Sequence, residues 1–157
     1  MTREEKFMME AIELSNEGVE NNEGGPFGCI VVKNNIIIGR GNNKVTSAND
    51  PTAHAEVVAI RDACKNLGTF QLEGCEIYTS CEPCPMCLGA IYWARPGIVY
   101  YGNTRDDAAV IGFDDSMIYE EMGIDPDNRK IPAINLCRKD ALKVFERWAH
   151  KQDKTLY

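Results

Sequence analysis

Basic side chains and long apolar runs are both scarce in this sequence. No apolar run approaches the roughly 18 residues of a membrane span, which excludes a membrane-spanning helix and predicts no membrane partner. Lysine and arginine total 17 against 24 acidic residues, and the formal net charge is −7. This deficit argues against nucleic acid as the main partner and favours a small neutral substrate.

A secretory leader and an even number of cysteines are also missing. Residues 1–6 predict the start of an amphipathic helix rather than a signal peptide. The seven cysteines are an odd number, which does not fit a disulfide framework. We therefore expect free thiols and a cytoplasmic location, where the environment is reducing.

Size and composition predict one globular domain. The chain has 157 residues, of which 44% are hydrophobic, and this is enough for a core without disulfides. No internal repeat, low-complexity tract or linker interrupts it. Residues 1–157 are therefore expected to form a single domain, with residues 138–157 as its terminal helix and tail.

The first half of the sequence predicts a helix followed by a hairpin. Thr2 and Glu5 form a capping box for a helix that runs towards Gly18. Residues 29–32 and 36–38 are solid apolar runs, which predicts two strands that are buried on both faces. A sheet with two buried faces requires helices on both sides.

A strand, helix, strand pattern follows and indicates a right-handed parallel crossover. Beyond it the pattern weakens but still predicts a final strand and a terminal helix. Together with the hairpin, this gives an α/β fold with a mixed five-stranded sheet. The predicted later elements are strands at 76–80, 98–101 and 133–137, and helices at 84–94, 106–110, 116–122 and 138–151.

Four residues have the spacing of a hydrolytic zinc site. His54 and Glu56 form a His-x-Glu triplet, and Cys84 and Cys87 follow in a Pro-Cys-x-x-Cys run 84 − 54 = 30 residues later. Zinc prefers imidazole and thiolate ligands, and three protein ligands leave the fourth position for a water of lowered pKa. We predict one Zn²⁺ per chain held by the histidine and the two cysteines, with that water as fourth ligand and Glu56 as its base.

The metal ligands are expected at two helix starts. Cys84 and Cys87 share a helix face after Pro83, and residues 50–52 resemble a start signal for a helix over 53–67. The positive end of each helix dipole favours ionised sulfur. His54 and Glu56 are two residues apart and do not share a helix face, so this hypothesis requires the zinc to lie near the end of the helix axis.

A closed structural site is the alternative. If Cys81 joined the other three ligands, the shell would be Cys₃His, with no room for water and no chemistry. Cys81 ends a predicted strand, however, and is expected to point differently from the helix thiols.

These motifs resemble the cytidine deaminase superfamily, whose zinc signature is His-x-Glu with Pro-Cys-x-x-Cys. The match is close at residues 50–56 and 80–87, and the order of elements agrees over nearly the whole chain. The resemblance implies a three-layer α/β/α sandwich, zinc held by His54, Cys84 and Cys87, and Glu56 as the proton shuttle.

Within that superfamily, residues 25–28, 41–43, 78–96 and 112–116 and the final Tyr157 look most like the bacterial guanine deaminases. The resemblance implies hydrolytic deamination of a purine base, guanine, to xanthine and ammonia, with Asp115 as a second acid. It also implies a homodimer that exchanges its C-terminal segment. The substrate contacts that it implies are Asn43, Phe27, Trp93, Phe113 and Tyr157.

Alternatives stay open at this point. Asp114 fits the second acid as well as Asp115 does. Asn43 lies in a turn-rich stretch and could be only a turn former. Each aromatic residue could be a core or interface residue instead. A deaminase of another base, such as tRNA adenosine or cytosine, shares the zinc motifs. A non-catalytic zinc-binding domain is the rival from a different functional class.

Overall fold

A four-stranded mixed sheet lies at the centre of the first of two units in the computed structural model, which describes residues 1–157. The units are Met1–Asp115 and Ser116–Tyr157. In the sheet, β1 pairs antiparallel with both β2 and β3, and β3 pairs parallel with β4. The strands lie in the order β2-β1-β3-β4 and are β1 (Gly28–Lys33), β2 (Ile36–Asn42), β3 (Cys75–Cys81) and β4 (Ile98–Asn103).

The predicted hairpin and parallel crossover are therefore confirmed. Asn34 and Asn35 connect β1 to β2 with φ values of 49° and 64°, and asparagine tolerates this left-handed conformation better than most residues. The crossover between β3 and β4 contains one helix, as the strand, helix, strand pattern predicts.

Helices cover both faces of the sheet. One buried cluster, which includes Ala11, Ile30 and Tyr78, lies between the sheet and the first helix. The other, which includes Val31 and Ile77, lies under the third and fourth helices. The helices of this unit are α1 (Arg3–Glu20), α2 (Val45–Ala48), α3 (Ala55–Leu67), α4 (Pro85–Ala94) and α5 (Arg105–Val110).

The helix α3 lies unusually close to β2 because small residues face each other there. Its buried positions include Ala59 and Ala63. A Cβ atom on Gly39 would lie 2.5 Å from the Ala59 carbonyl oxygen, and one on Gly41 would lie 2.4 Å from the Ala55 carbonyl oxygen. Glycine at these two strand positions therefore fixes how closely the start of α3 approaches the sheet.

The second unit contains two helices, α6 (Ser116–Met122) and α7 (Arg138–His150), with a short 3₁₀ turn at Pro126–Asn128 between them. Large apolar side chains are exposed here, among them Ile134, Leu136 and Phe145. None of the helices in the chain combines the length and the apolar character needed to cross a bilayer.

The predicted fifth strand at residues 133–137 is wrong. This stretch is irregular and exposed, so the sheet has four strands and not five. An apolar run becomes a strand only where a neighbouring strand satisfies its backbone groups. Here the Ala133 N–H instead donates to the carbonyl of Pro126, at 2.9 Å, and Cys137 has a left-handed backbone at the start of α7.

Candidate metal centre and active site

The two helix starts meet, but each begins slightly later than predicted. His54 is the N-cap of α3 and Cys84 is the N-cap of α4, while Pro85 takes the first helical position instead of Pro83. Asp50 does not cap the helix; its carboxylate accepts a hydrogen bond from the backbone N–H of Thr52 at 2.8 Å. As an N-cap, His54 lies at the end of the helix axis, which removes the difficulty of its two-residue spacing from Glu56.

Three donor atoms converge between these helix starts. The Nδ1 atom of His54 lies 3.5 Å from the sulfur of Cys84 and 3.5 Å from the sulfur of Cys87. All three donor atoms lie within 4.8 Å of one another. In tetrahedral zinc, bond lengths of about 2.3 Å to sulfur and about 2.0 Å to nitrogen place the sulfur and nitrogen ligand atoms about 3.5 Å apart. The residues therefore fit zinc.

The pKa values of Cys84 and Cys87 are shifted in opposite directions. The hydrogen bond with Cys87 lowers the pKa of Cys84 to about 4, and His54 contributes in the same direction. The same hydrogen bond raises the pKa of Cys87 above its ordinary value. A metal ion bound by both sulfurs would displace the protons that they carry.

The candidate for a fourth protein ligand, Cys81, lies outside the cluster. Cys81 is at the end of β3, and its sulfur contacts the carbonyl oxygen of Thr104 at 3.7 Å. The donor cluster consists of His54, Cys84 and Cys87 only. A shell of three protein ligands, as in catalytic zinc sites, fits this arrangement better than a closed Cys₃His shell.

Glu56 is buried beside the donors in the first turn of α3. Its side chain is only 6% exposed, and Thr79 of β3 donates a hydrogen bond to its carboxylate at 3.3 Å. Burial raises the pKa of Glu56, because a charged carboxylate loses hydration there. A buried carboxylate with a raised pKa next to a cluster of metal donors is suited to taking up and releasing protons.

Asp115 is half-buried and forms an ion pair with Arg105 at 3.7 Å. Partial burial raises the pKa of Asp115, Arg105 opposes this, and the negative Cys84 contributes to the rise. Asp115 is half-buried, whereas the side chain of Asp114 is exposed.

Asn43 is buried and held by its backbone and by its side-chain oxygen. The backbone N–H of Asn43 donates to the carbonyl of Phe27 at 3.0 Å. Its side-chain oxygen accepts from the backbone N–H groups of Gly25 and Val45, at 3.3 and 3.1 Å. Two donors fix which end of the amide is oxygen, so the NH₂ group is the end available to a ligand.

Two of the predicted aromatic residues are in contact. Phe27 and Phe113 pack edge to face with ring centroids 4.9 Å apart, and both rings lie against Gly25. The main chain joins this pair to the metal end, since the Lys44 N–H donates to the Ala53 carbonyl at 2.9 Å. A backbone hydrogen bond and a ring contact thus connect Asn43, Phe27 and Phe113, and Lys44 is bonded to the residue before His54.

The other two predicted aromatic residues are exposed. Trp93 is six residues beyond Cys87, about 9 Å further along α4, and is 64% exposed. Tyr157 is the last residue of the second unit and is also exposed. Their predicted substrate contacts stay predictions.

Two residues that contact the site were missed by sequence analysis. Thr79, which donates to Glu56, has only the signal of an inward-facing position on a predicted strand. Arg105, which pairs with Asp115, has no signal that distinguishes it from a surface arginine, because its partner is ten residues away in a loop.

Comparison with known proteins agrees with this geometry. The model of the cytidine and deoxycytidylate deaminase zinc-binding region matches residues 1–103. A guanine deaminase from Bacillus subtilis (strain 168) is 52% identical over 153 residues, which cover 98% of each chain. An X-ray structure of a Bacillus subtilis guanine deaminase superposes with a TM-score of 0.95 at 52% identity, again over 98% of both chains.

The less similar relatives include a protein that is named for a different substrate. A tRNA-specific adenosine deaminase from Bacillus subtilis is 42% identical over 102 residues, which are 65% of this chain and 63% of the relative. A guanine deaminase structure from Nitrosomonas europaea has a TM-score of 0.66 at 32% identity and covers 78% of this chain and 66% of its own. With the family model matched over well more than half of its length, this chain belongs to the cytidine and deoxycytidylate deaminase zinc-binding family.

Proposed function

We propose that the protein is a zinc-dependent aminohydrolase that converts guanine and water to xanthine and ammonia. One observation carries the choice of guanine: a guanine deaminase matches this chain over 98% of both lengths, whereas the tRNA adenosine deaminase matches only 65% of this chain. The net charge of −7 also favours a small purine base over a nucleic acid.

The proposed roles begin with the donors and Glu56. A zinc ion bound by His54, Cys84 and Cys87 would supply an acidified water as the nucleophile. Glu56 would accept a proton from that water and deliver it to a ring nitrogen of guanine while C2 is attacked. Its burial and its hydrogen bond from Thr79 hold the carboxylate in place for both transfers.

Asp115 is the proposed second acid. Loss of ammonia requires a proton at the exocyclic amine, and a carboxyl group with a raised pKa holds that proton better than an exposed one. Asp115 is half-buried and lies under the influence of Cys84, while Asp114 is exposed. These differences support Asp115 over its neighbour.

Substrate binding is proposed at Asn43, Phe27 and Phe113, which are in contact with one another. The NH₂ group of Asn43 would donate to an acceptor on the purine, because its oxygen is already used by the main chain. The phenylalanine rings would provide apolar contact with the flat base. Trp93 and Tyr157 are proposed to complete the enclosure.

A homodimer is proposed as the working form, with the whole chain acting as one deaminase domain in the cytoplasm. The second unit has no fully buried residues and exposes Ile134, Leu136 and Phe145. Apolar groups exposed in this number are typical of a surface that a partner covers. Exchange of residues 138–157 between subunits would cover them and bring Tyr157 to the partner's site.

Deletion of the residues after Asp153 tests the tail. If the tail encloses the substrate, activity falls while the melting temperature and the dimer mass measured by light scattering are retained. Unchanged kinetics would remove Tyr157 from the site, and a monomeric full-length protein would contradict the dimer.

Ammonia release tests the substrate. Purified protein is incubated with guanine, adenine, cytosine, cytidine and tRNA, and ammonia is followed with time. The proposal expects release from guanine at a far higher rate than from the others. Release from tRNA alone would favour the adenosine deaminase function that the partial similarity suggests, and release from a pyrimidine alone would refute the guanine assignment.

A further inference from the structure

The loop between α1 and β1 lies against Asn43. Residues 23–25 of this loop contact Asn43 and both of its neighbours in sequence. Gly25 donates its N–H to the Asn43 side-chain oxygen at 3.3 Å. None of these three loop residues belongs to the zinc motifs or to the predicted substrate contacts.

Glu23 contacts the residues on either side of Asn43. Its carboxylate accepts hydrogen bonds from the side-chain amide of Asn42 and from the Lys44 ammonium, the latter at 3.0 Å. Its carbonyl oxygen also accepts from the backbone N–H of Ser47 at 3.3 Å. One residue therefore restrains the chain before and after Asn43.

Gly24 makes the close approach possible. A Cβ atom at this position would lie 2.3 Å from the side-chain oxygen of Asn43 and 2.4 Å from its carbonyl oxygen. These distances are far below van der Waals contact, so any side chain at position 24 must displace Asn43. The close contact between this loop and Asn43, which Glu23 also supports, therefore requires glycine at position 24.

We propose that Glu23 is a positioning residue for substrate recognition, which fixes the direction of the Asn43 NH₂ group by holding Asn42 and Lys44. The proposal deepens the proposed function, on which its substrate side rests. The carboxylate is suited to this task because it accepts from two donors at once, one of them a cation. Lys44 and Glu23 are partly exposed, whereas Asn42 is buried, so the bond to Asn42 is the stronger restraint.

The kinetic test uses Glu23→Ala, Glu23→Gln and a matched control. Glu23→Ala should raise KM for guanine by about 10-fold with kcat little changed, because the lost contact acts on binding. Glu23→Gln keeps an acceptor for Asn42 and should show a smaller rise. Glu10→Ala removes an exposed carboxylate of α1 that pairs with Arg40 at 3.1 Å, and should leave KM unchanged.

A double-mutant cycle distinguishes positioning from general weakening of the fold. In an Asn43→Ala background, Glu23→Ala should cause no further rise in KM, because both changes remove the same interaction. Gly24→Ala should raise KM to a similar extent as Asn43→Ala. Additive effects in the cycle, or an unchanged KM in Glu23→Ala, would overturn the proposal. Zinc content is measured for each variant to confirm that the metal site is intact.

Hydrogen exchange separates this proposal from the choice of substrate. In the zinc-loaded protein, amides of residues 42–48 should exchange faster in Glu23→Ala than in wild type or Glu10→Ala, since Val45 N–H is bonded to the Asn43 side chain. Unchanged exchange would overturn the positioning role whatever the enzyme deaminates. If wild type released no ammonia from guanine, the proposed function would fail while the exchange result still decided the role of Glu23.

Discussion

Two glutamates on opposite faces of the sheet show how environment shifts the pKa of one residue type in opposite directions. Adjacent residues of β3 each donate to one of them: Thr79 to Glu56 at 3.3 Å, and Tyr78 to Glu76 at 2.6 Å. Burial raises the pKa of Glu56, whereas a two-fold hydrogen bond from Arg3, at 2.9 and 3.0 Å, lowers the pKa of Glu76. Desolvation raises the pKa of a carboxylate and suits it to proton transfer. A cation partner lowers the pKa and keeps the carboxylate charged in an ion pair.

The largest expected effect is on Glu56. Glu56→Gln should lower kcat by about 10⁴-fold, because the amide cannot carry a proton between water and base. Zinc content should stay at one per chain, since Glu56 is not a ligand. Ammonia release and metal analysis on the same preparation measure both quantities.

The matched control is Glu76→Gln, which makes the same chemical change on the other face of the sheet. It should keep turnover at the wild-type level. Survival of activity in Glu56→Gln, or its loss in Glu76→Gln with zinc and fold intact, would show that the contrast between the two carboxylates is wrong.

Asp115 is intermediate between the two, because it combines partial burial with a cation partner, Arg105. Under the proposed function, Asp115→Asn should lower kcat by about 100-fold, because the proposed second proton donor is lost. Asp114→Asn should change kcat by less than about threefold, since a surface substitution has a small effect. A larger loss in Asp114→Asn than in Asp115→Asn would transfer the role to the exposed residue.

A smaller effect is expected on stability from Glu76. Glu76→Gln removes the charge that binds Arg3 but keeps an acceptor for Tyr78, whose ring stacks on Tyr100 at 4.7 Å. The melting temperature should fall by about 2 to 4 °C. Differential scanning calorimetry of the zinc-loaded protein measures this, and an unchanged or raised melting temperature would deny the ion pair a structural role.

The smallest effect is the pH dependence of that contribution. The pKa of Glu76 lies below its ordinary value of 4.5 in the folded protein. Its contribution is therefore complete above about pH 4.5 and disappears as the pH falls through the folded pKa. Denaturant titrations of wild type and Glu76→Gln should differ at pH 7 and converge at lower pH; a difference that grows on acidification would contradict the assignment.

Local patterns predicted the metal end well because its chemistry is local. The Pro-Cys-x-x-Cys run places Cys84 and Cys87 at one helix start, and the His-x-Glu triplet places His54 and Glu56 at another. Apolar runs also located four strands. Only the helix starts shifted, since the ligand His54 and not Asp50 is the cap of α3.

Contacts between distant loops were not predictable in the same way. Glu23 approaches Asn42 across 19 residues, and no pattern marks either as a partner. The strand prediction for residues 133–137 fails for the opposite reason. Their apolar run predicts a strand, but strand formation depends on a neighbouring strand that the local sequence does not specify. Cys137, which follows this stretch at the start of α7, is exposed.

The ligand count at the metal tests the account most directly. X-ray absorption on the purified zinc protein should find two sulfur ligands and the remainder nitrogen or oxygen, as expected for Cys84, Cys87 and His54 with one position left to solvent. Three sulfur ligands would mean that Cys81 closes the shell, and a protein that binds no zinc would remove the basis for hydrolysis altogether.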